Sequence, residues 1–238
     1  MSDRHNLIVP MVVPMVTNQL KGFPIEYKYN NEGIMKCVEA ISDLPLKQFT
    51  DIYFIISKQA DVEWHLETKI RWDLCKLLHE DKLASNTNIK FIKLEDQTKS
   101  QVETIYNAVT QSHIEGSIFI KDADNSFTLN KVPFGNSLCI YSIEDCTVFE
   151  PQHKSYVSID DNMLITNIIE KRVVSKYFNC GGYSFKDVNY FIDAYDHFKD
   201  SDDHIYLSHL IYYLMLVKKM LFTPEIATDY NDFTLECK

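Results

Sequence analysis

Asp122 and Asp124 follow the apolar run Ile118, Phe119 and Ile120 in the segment GSIFIKDADNSFTLN, Gly116 to Asn130. Alternate residues of an extended chain project to the same side, so the two carboxylates could share one Mg²⁺ or Mn²⁺, with Asn125 supplying a further oxygen. An ion held there would bridge and neutralise phosphate oxygens. An Asx-rich turn explains the same residues without an ion, because Asp and Asn cap turns through their own side chains.

The surrounding pattern predicts what positions this pair. Residues Asn6 to Val16 read as a first buried strand, Ile52 to Ile56 as a second, NIKFIKLED as a third and Ser117 to Lys121 as a fourth. Helices are expected at Met35 to Leu44 and at Trp64 to Leu78, the latter with Leu66, Ile70, Leu74 and Leu77 on one stripe. A further helix, Ser100 to Ser112, turns Val102, Ile105 and Val109 inward. Strand alternating with helix predicts an α/β fold with a mainly parallel central sheet flanked by helices, built through right-handed crossovers. Ligands of such sheets bind beyond the carboxyl ends of the strands, which is where Asp122 and Asp124 stand.

After Phe127 the pattern changes to short strand-like runs, SLCIYSI, KSYVSID, MLITNIIEK and FNCGGYSF, then helices at Lys186 to Phe198 and Ile205 to Leu221. No repeat or linker divides the chain, so residues 1–238 read as one domain. Tyr190, Phe191, Tyr195 and Phe198 recur at helical spacing, which indicates core. LIYYLMLVKKMLF reads as a buried helix, or as a homodimer surface if one face is left uncovered. Asp202 and Asp203 read as N-caps, His204 and His209 as solvated, and Cys180 as a small buried thiol.

With 238 residues, 45% of them apolar and 13% aromatic, the chain is a globular protein with ample core. A net charge of −10 with scattered Lys and Arg argues against nucleic acid as a partner. The six cysteines form no CxxC pair, which fits reduced thiols in a cytoplasmic protein. The apolar start is interrupted by Pro10 and Pro14 and falls short of the ~20 residues a membrane span needs, so no membrane insertion is expected.

Several segments in order resemble the sugar-phosphate nucleotidyltransferase family, whose fold is the Rossmann-like nucleotide-diphospho-sugar transferase (GT-A-like) fold. NLIVPM is similar to the family's first strand, and LEDQTKSQVETIYNAV to its T-x-G-Q-A-E-T-V segment through Thr98, Gln101, Glu103 and Thr104. IFIKDADNSF resembles the strand that presents the metal-binding aspartate. IIEKRVVSKYFNCGGYSF is similar to the block I-x-E-K … S … N-x-G-x-Y-x-F through Glu170, Lys171, Ser175, Asn179, Gly182, Tyr183 and Phe185.

The resemblance implies a nucleotide-binding half, residues 1–127, and an acceptor half, residues 128–238. It implies that Asp124, with Asp122, holds Mg²⁺ or Mn²⁺, and that Asp124 and Lys171 carry catalysis. Met11, Gln101 and Asp122 would face the nucleotide, and Glu170, Asn179 and Gly182 the acceptor. The reaction implied is attack of a sugar 1-phosphate, or similar phosphomonoester, on the α-phosphate of a nucleoside triphosphate with release of pyrophosphate, in surface-polysaccharide precursor synthesis.

The chain departs from the family after the first strand, where VVPMVTNQLKG replaces a glycine-rich G-x-G-x-R loop and Pro24 is followed by Ile25 instead of Lys. Glycines let backbone N–H groups approach a triphosphate, and side chains there would obstruct that cradle. Two other readings therefore stand beside the first: a glycosyltransferase of the same fold using a nucleotide sugar, and a nucleotide- or sugar-binding homologue without turnover.

Overall fold

The structure is a computed structural model that describes residues 4–11, 24–77, 83–84, 86–95, 98–148 and 150–235. The first half comprises β1 (His5–Pro10), α1 (Lys36–Glu39), β2 (Asp51–Ser57), α2 (Lys58–Trp64), α3 (Leu66–Leu77), β3 (Asn88–Leu94), α4 (Gln101–Gln111) and β4 (Ser117–Lys121). β1 lies between β2 and β4 and runs parallel to both, with Ile8 level with Tyr53 and Ile120. Its side chains alternate between two cores. Leu7 and Val9 join Cys37, Val38 and Ile70 on one face of the sheet, whereas Ile8 joins Ile105, Phe191 and Leu210 on the other.

The second half adds β5 (Asn125–Thr128), β6 (Ser137–Ser142), β7 (Ser155–Ile159), β8 (Ile165–Glu170), β9 (Tyr177–Phe185), α5 (Val188–Phe198), α6 (Leu207–Leu216), β10 (Thr223–Ile226) and β11 (Thr228–Asp232). The main path of the sheet is β10-β6-β9-β4-β1-β2-β3, with the β7–β8 hairpin attached through β9. β9 enters antiparallel to β4, placing Gly182 opposite Lys121. β11 and β5 form a separate antiparallel pair beside the acidic turn.

Several elements differ from the sequence expectation, each for a local reason. The expected helix at Met35 to Leu44 is helical only over Lys36–Glu39, because beyond it the chain tightens into turns such as Ile41 N–H to Val38 O (3.3 Å) and Ser42 N–H to Glu39 O (3.1 Å). The helix expected from Trp64 begins at Leu66 as α3, because His65 takes a left-handed conformation (φ 55°) that ends the preceding helix α2, which the sequence reading did not anticipate. α6 ends at Leu216, and Lys219 (φ 57°) turns the chain toward β10. The N-cap of α6 is Tyr206, so Asp202 and Asp203 do not cap it. β1 ends at Pro10 and Met11 follows it outside the strand; residues 12–16 of the expected first strand and the altered loop lie outside the described residues.

The aromatic series on α5 is core, as its spacing indicates: Phe191 and Tyr195 are buried, with Tyr190 and Phe198 packed against them. α6 buries Leu207, Leu210, Ile211 and Leu214 and leaves Tyr212 and Leu216 exposed. Among the described residues no helix is long and apolar enough to cross a membrane.

Candidate active site

At the carboxyl end of β4 the chain leaves the sheet through Asp122, Ala123 and Asp124 and returns as β5. Four hydrogen bonds fix this turn. Asp122 N–H donates to Gly181 O (2.9 Å), Phe233 N–H donates to Asp124 O (3.0 Å), and the Lys121 ammonium donates to Asp122 O (2.6 Å) and Asn125 O (2.8 Å). Lys121 is fully buried above the Phe127 ring. The Lys121 ammonium is therefore an internal counter-charge beneath the acidic turn, although burial lowers its pKa to about 8 against the pull of Asp122 and Asp124.

The carboxylates themselves face a cavity of 410 Å³ whose wall includes Glu26, Gln101, Lys154, Glu170, Lys171 and Gly181. Asp122 is half-buried and accepts from the Gln101 side-chain amide (2.6 Å), while Asp124 is exposed to the opening and accepts from Asn125 Nδ2 (2.8 Å). The amide oxygen of Asn125 accepts from Lys121 (2.8 Å). It is not offered to an ion, which corrects the expectation of a third ligand there.

Burial and then the charge of Asp124 push the Asp122 carboxyl up to about 7, and Glu26 rises to about 7 chiefly through burial. A divalent cation between Asp122 and Asp124 would relieve the repulsion that Asp122 feels from its neighbour. Among the described residues no cluster of three or more His, Cys, Asp or Glu is arranged to hold a metal. A pair of carboxylates completed by phosphate oxygens and water is a donor set that suits Mg²⁺.

A prediction about stability follows from the raised carboxyls. A carboxyl whose folded pKa lies above its unfolded value keeps its proton in the fold after the unfolded chain has lost it, so stability falls as pH rises from about 4 to about 7. In the absence of divalent ions, Asp122→Asn should raise Tm at pH 8 by several degrees, corresponding to about 1–2 kcal/mol, and by less at pH 5. Calorimetric melting at the two pH values checks this, and an equal gain at both would remove the electrostatic cause.

The motif residues that resemble the family separate into contact and support. Gln101 opens α4, and the residues around it hold it in place: Ser100 Oγ caps Glu103 N–H (3.2 Å), the Glu103 carboxylate accepts from Lys99 N–H, and the Thr98 and Thr104 hydroxyls share a hydrogen bond (2.5 Å). In β9, Asn179 Oδ1 accepts from Gly181 N–H (2.9 Å) and its Nδ2 donates to Gly182 O (3.1 Å). These bonds brace a bulge against β6, where Cys139 pairs with Gly182 but Ile140 pairs with Asn179.

Asn179 reaches the cavity wall, but Gly182 packs away from it: a Cβ there would stand 2.6 Å from Cys139 Sγ. The glycine that faces the cavity is Gly181 (φ 94°). Met11 is likewise core, its carbonyl accepting from Tyr27 Oη (2.6 Å), and it is not part of the wall. Cys180 is buried, and burial pushes its thiol up to about 12, as suits a packing thiol.

Glu170 ends β8, and its carboxylate accepts from two hydroxyls, Ser155 Oγ and Ser208 Oγ (the latter at 2.7 Å). Lys171 follows in the left-handed region (φ 56°), with its ammonium on Tyr206 Oη (2.6 Å) and 4.4 Å from the centre of that ring. His209 Nδ1 accepts from Tyr206 N–H (3.3 Å) and so supports this rim. Sequence reasoning missed Glu26, Lys154, Ser155, Tyr206 and Ser208. Only the Glu170-Lys171 pair pointed toward that rim, because the other residues arrive from separate elements.

An open α/β sheet with an antiparallel strand inserted beside the acidic turn is the nucleotide-diphospho-sugar transferase fold, and solved structures of nucleotidyltransferases share it over nearly their whole length. A nucleoside-diphosphate-sugar pyrophosphorylase from Vibrio cholerae is 13% identical, with 93% of this chain and 91% of that chain covered and a TM-score of 0.66. An inositol-1-phosphate CTP transferase from T. maritima is 15% identical over 97% of this chain and 89% of that one, with a TM-score of 0.67. A UDP-glucose pyrophosphorylase complexed with UDP-glucose is 9% identical over 97% and 93%, also at 0.67. Comparison of the sequence with models of protein families, and with curated proteins, gives no match. The resemblance read from the motifs is thus matched by the fold.

Proposed function

We propose that this protein is a metal-dependent nucleotidyltransferase that moves a nucleoside monophosphate from a nucleoside triphosphate to a sugar phosphate or similar phosphomonoester. The observation that carries this reading is the shared cavity, in which Asp122, Asp124 and Gln101 of the first half face Glu170 and Lys171 of the second. Two polyanions must be held in line there, a task of positioning and charge neutralisation more than of covalent chemistry. An acceptor phosphate oxygen attacks the α-phosphorus, the bond to the β-phosphate oxygen breaks, and pyrophosphate leaves with the electron pair.

Mg²⁺ or Mn²⁺ on Asp124 and Asp122 supplies neutralisation of phosphate oxygens when bound. Gln101 holds Asp122 in its orientation, as the 2.6 Å bond indicates, and borders the nucleotide. Glu170, oriented by two serine hydroxyls, accepts from an acceptor hydroxyl, and Lys171 meets the acceptor's charge. The cytoplasmic setting rests on the scattered cysteines with no CxxC pair, and the role in surface-polysaccharide precursor synthesis on the resemblance alone.

Thermal-shift titration with nucleoside triphosphates and nucleotide sugars, each with and without Mg²⁺ or Mn²⁺, tests the reading, because a ligand specific to the native state raises Tm. One triphosphate should raise Tm only with metal and should release pyrophosphate when sugar 1-phosphates are added. A response confined to a nucleotide sugar replaces this reading with glycosyl transfer; no response to any of them leaves a protein without this activity.

A further inference from the structure

The cavity wall is acidic on the whole, with Glu26, Asp122, Asp124 and Glu170 against the ammonium groups of Lys154 and Lys171. Lys171 extends along the exposed rim, but Lys154 is enclosed, its side chain 14% exposed. Its ammonium donates to Tyr230 Oη (2.5 Å) and to Asp232 Oδ2 (2.7 Å), both on β11. An ammonium has three N–H donors, and the described residues engage two of them in hydrogen bonds, which leaves one for the cavity that Lys154 lines.

The hairpin fixes where this donor stands. Lys171 N–H donates to Lys154 O (2.9 Å), so the two lysines are cross-strand neighbours at one rim, while Ser155 and Glu170 pair beside them. A lysine needed only to tie β7 to β11 has no reason to border the cavity. One whose head is already held by Asp232 and Tyr230 loses little further freedom on meeting an anion, and such preorganisation strengthens binding.

We propose that Lys154 is an anion-binding residue of this cavity, its ammonium forming a subsite for a phosphate dianion. On the proposed nucleotidyl transfer, from which the identity of the ligand is taken, that dianion is the phosphomonoester of the acceptor. Lys154 then binds phosphate without a metal, on the side of the cavity away from the nucleotide.

The probe is inorganic phosphate, titrated in EDTA at constant ionic strength against chloride, with Tm and calorimetric binding as readouts. The wild-type protein should bind phosphate, Lys154→Gln should weaken it at least tenfold, and Lys154→Arg should restore most of it. Asp232→Asn releases the ammonium from its ion pair and should bind as well as the wild type or better. Should Lys154→Gln fold poorly because it orphans Asp232, the double variant K154Q/D232N carries the comparison without an unpaired charge.

Absence of wild-type binding, unchanged binding in Lys154→Gln, or an equal loss in Asp232→Asn would each overturn the assignment, the last by making Lys154 a strap holding β11. Titration of Lys154→Gln with triphosphate and metal separates the two readings. If phosphate binding depends on Lys154 while no triphosphate binds, nucleotidyl transfer fails and the subsite stands; if transfer occurs and phosphate binding ignores Lys154, the subsite alone fails.

Discussion

On the proposed metal-dependent nucleotidyl transfer, replacing Asp124 with alanine should lower the rate by about 10³-fold while the fold survives, the loss expected when a group that stabilises transition-state charge is deleted. The reason for the separation is geometric. Asp124 holds the turn through its backbone carbonyl, which accepts from Phe233 N–H (3.0 Å), and this bond does not depend on the side chain. Its carboxylate is exposed to the cavity and, among the described residues, accepts a neutral hydrogen bond from Asn125 Nδ2 (2.8 Å). Asp124→Asn, which keeps an oxygen there but no charge, should lose nearly as much. Pyrophosphate release against Mg²⁺ concentration, with Tm in parallel, is the measurement; activity within tenfold of wild type in either variant removes Asp124 as the metal ligand.

Gly181→Ala has the second large effect, and it damages stability and site together. At φ 94° a side chain is strained whatever the space, and here there is none: a Cβ would lie 2.6 Å from Asn125 Nδ2 and 2.9 Å from Asp122 Oδ2. Both contacts belong to the acidic turn, so relief must move the carboxylates. The expected cost is about 3 kcal/mol, a fall in Tm of about 10 °C, with metal-dependent nucleotide binding lost even well below the melting range.

Gly182→Ala makes the contrasting case. Its Cβ would press on Cys139 and Phe127, 2.6 and 2.9 Å away, within the core. Overpacking there costs about 1–3 kcal/mol but leaves Asp122 and Asp124 in place. Equal binding losses in the two variants, measured at matched distance below each Tm, would show that the bulge as a whole matters and that the approach of Gly181 to the turn does not.

The segment resembling N-x-G-x-Y was visible in the sequence, and with Asn179 first and Tyr183 last its glycine position is Gly181, so the reading of Gly182 as the acceptor-side residue is one position off. Gly181 is the glycine that lines the cavity, and it lies beside the bulge between Cys139 and Ile140. A bulge depends on the register of two strands far apart in sequence, which no local pattern of FNCGGYSF encodes. The same holds for β5 and β11. Neither has the apolar alternation of a strand, and they exist because Asn125 and Asp232, distant in the chain, meet beside the acidic turn.

What the sequence determined by itself are the features that rest on short-range physics. The continuous apolar runs at Ile52–Ile56 and Ser117–Lys121 had to be strands covered on both faces, and a polar cluster after Lys121 had to mark a strand end. The helical stripe of Val102, Ile105 and Val109 fixed α4, and Ser100 with Glu103 fixed its start. Those elements place Asp122, Asp124 and Gln101 at one end of a parallel sheet. Only the tertiary structure decided what confronts them. Glu26, Lys154, Tyr206 and Ser208 come from a short turn, a hairpin and the start of a late helix, and Lys154 is held by a strand 76 residues further on. Such convergence is set by packing and long-range pairing, whose free energy is distributed over the whole core and leaves no signature at the residues it brings together.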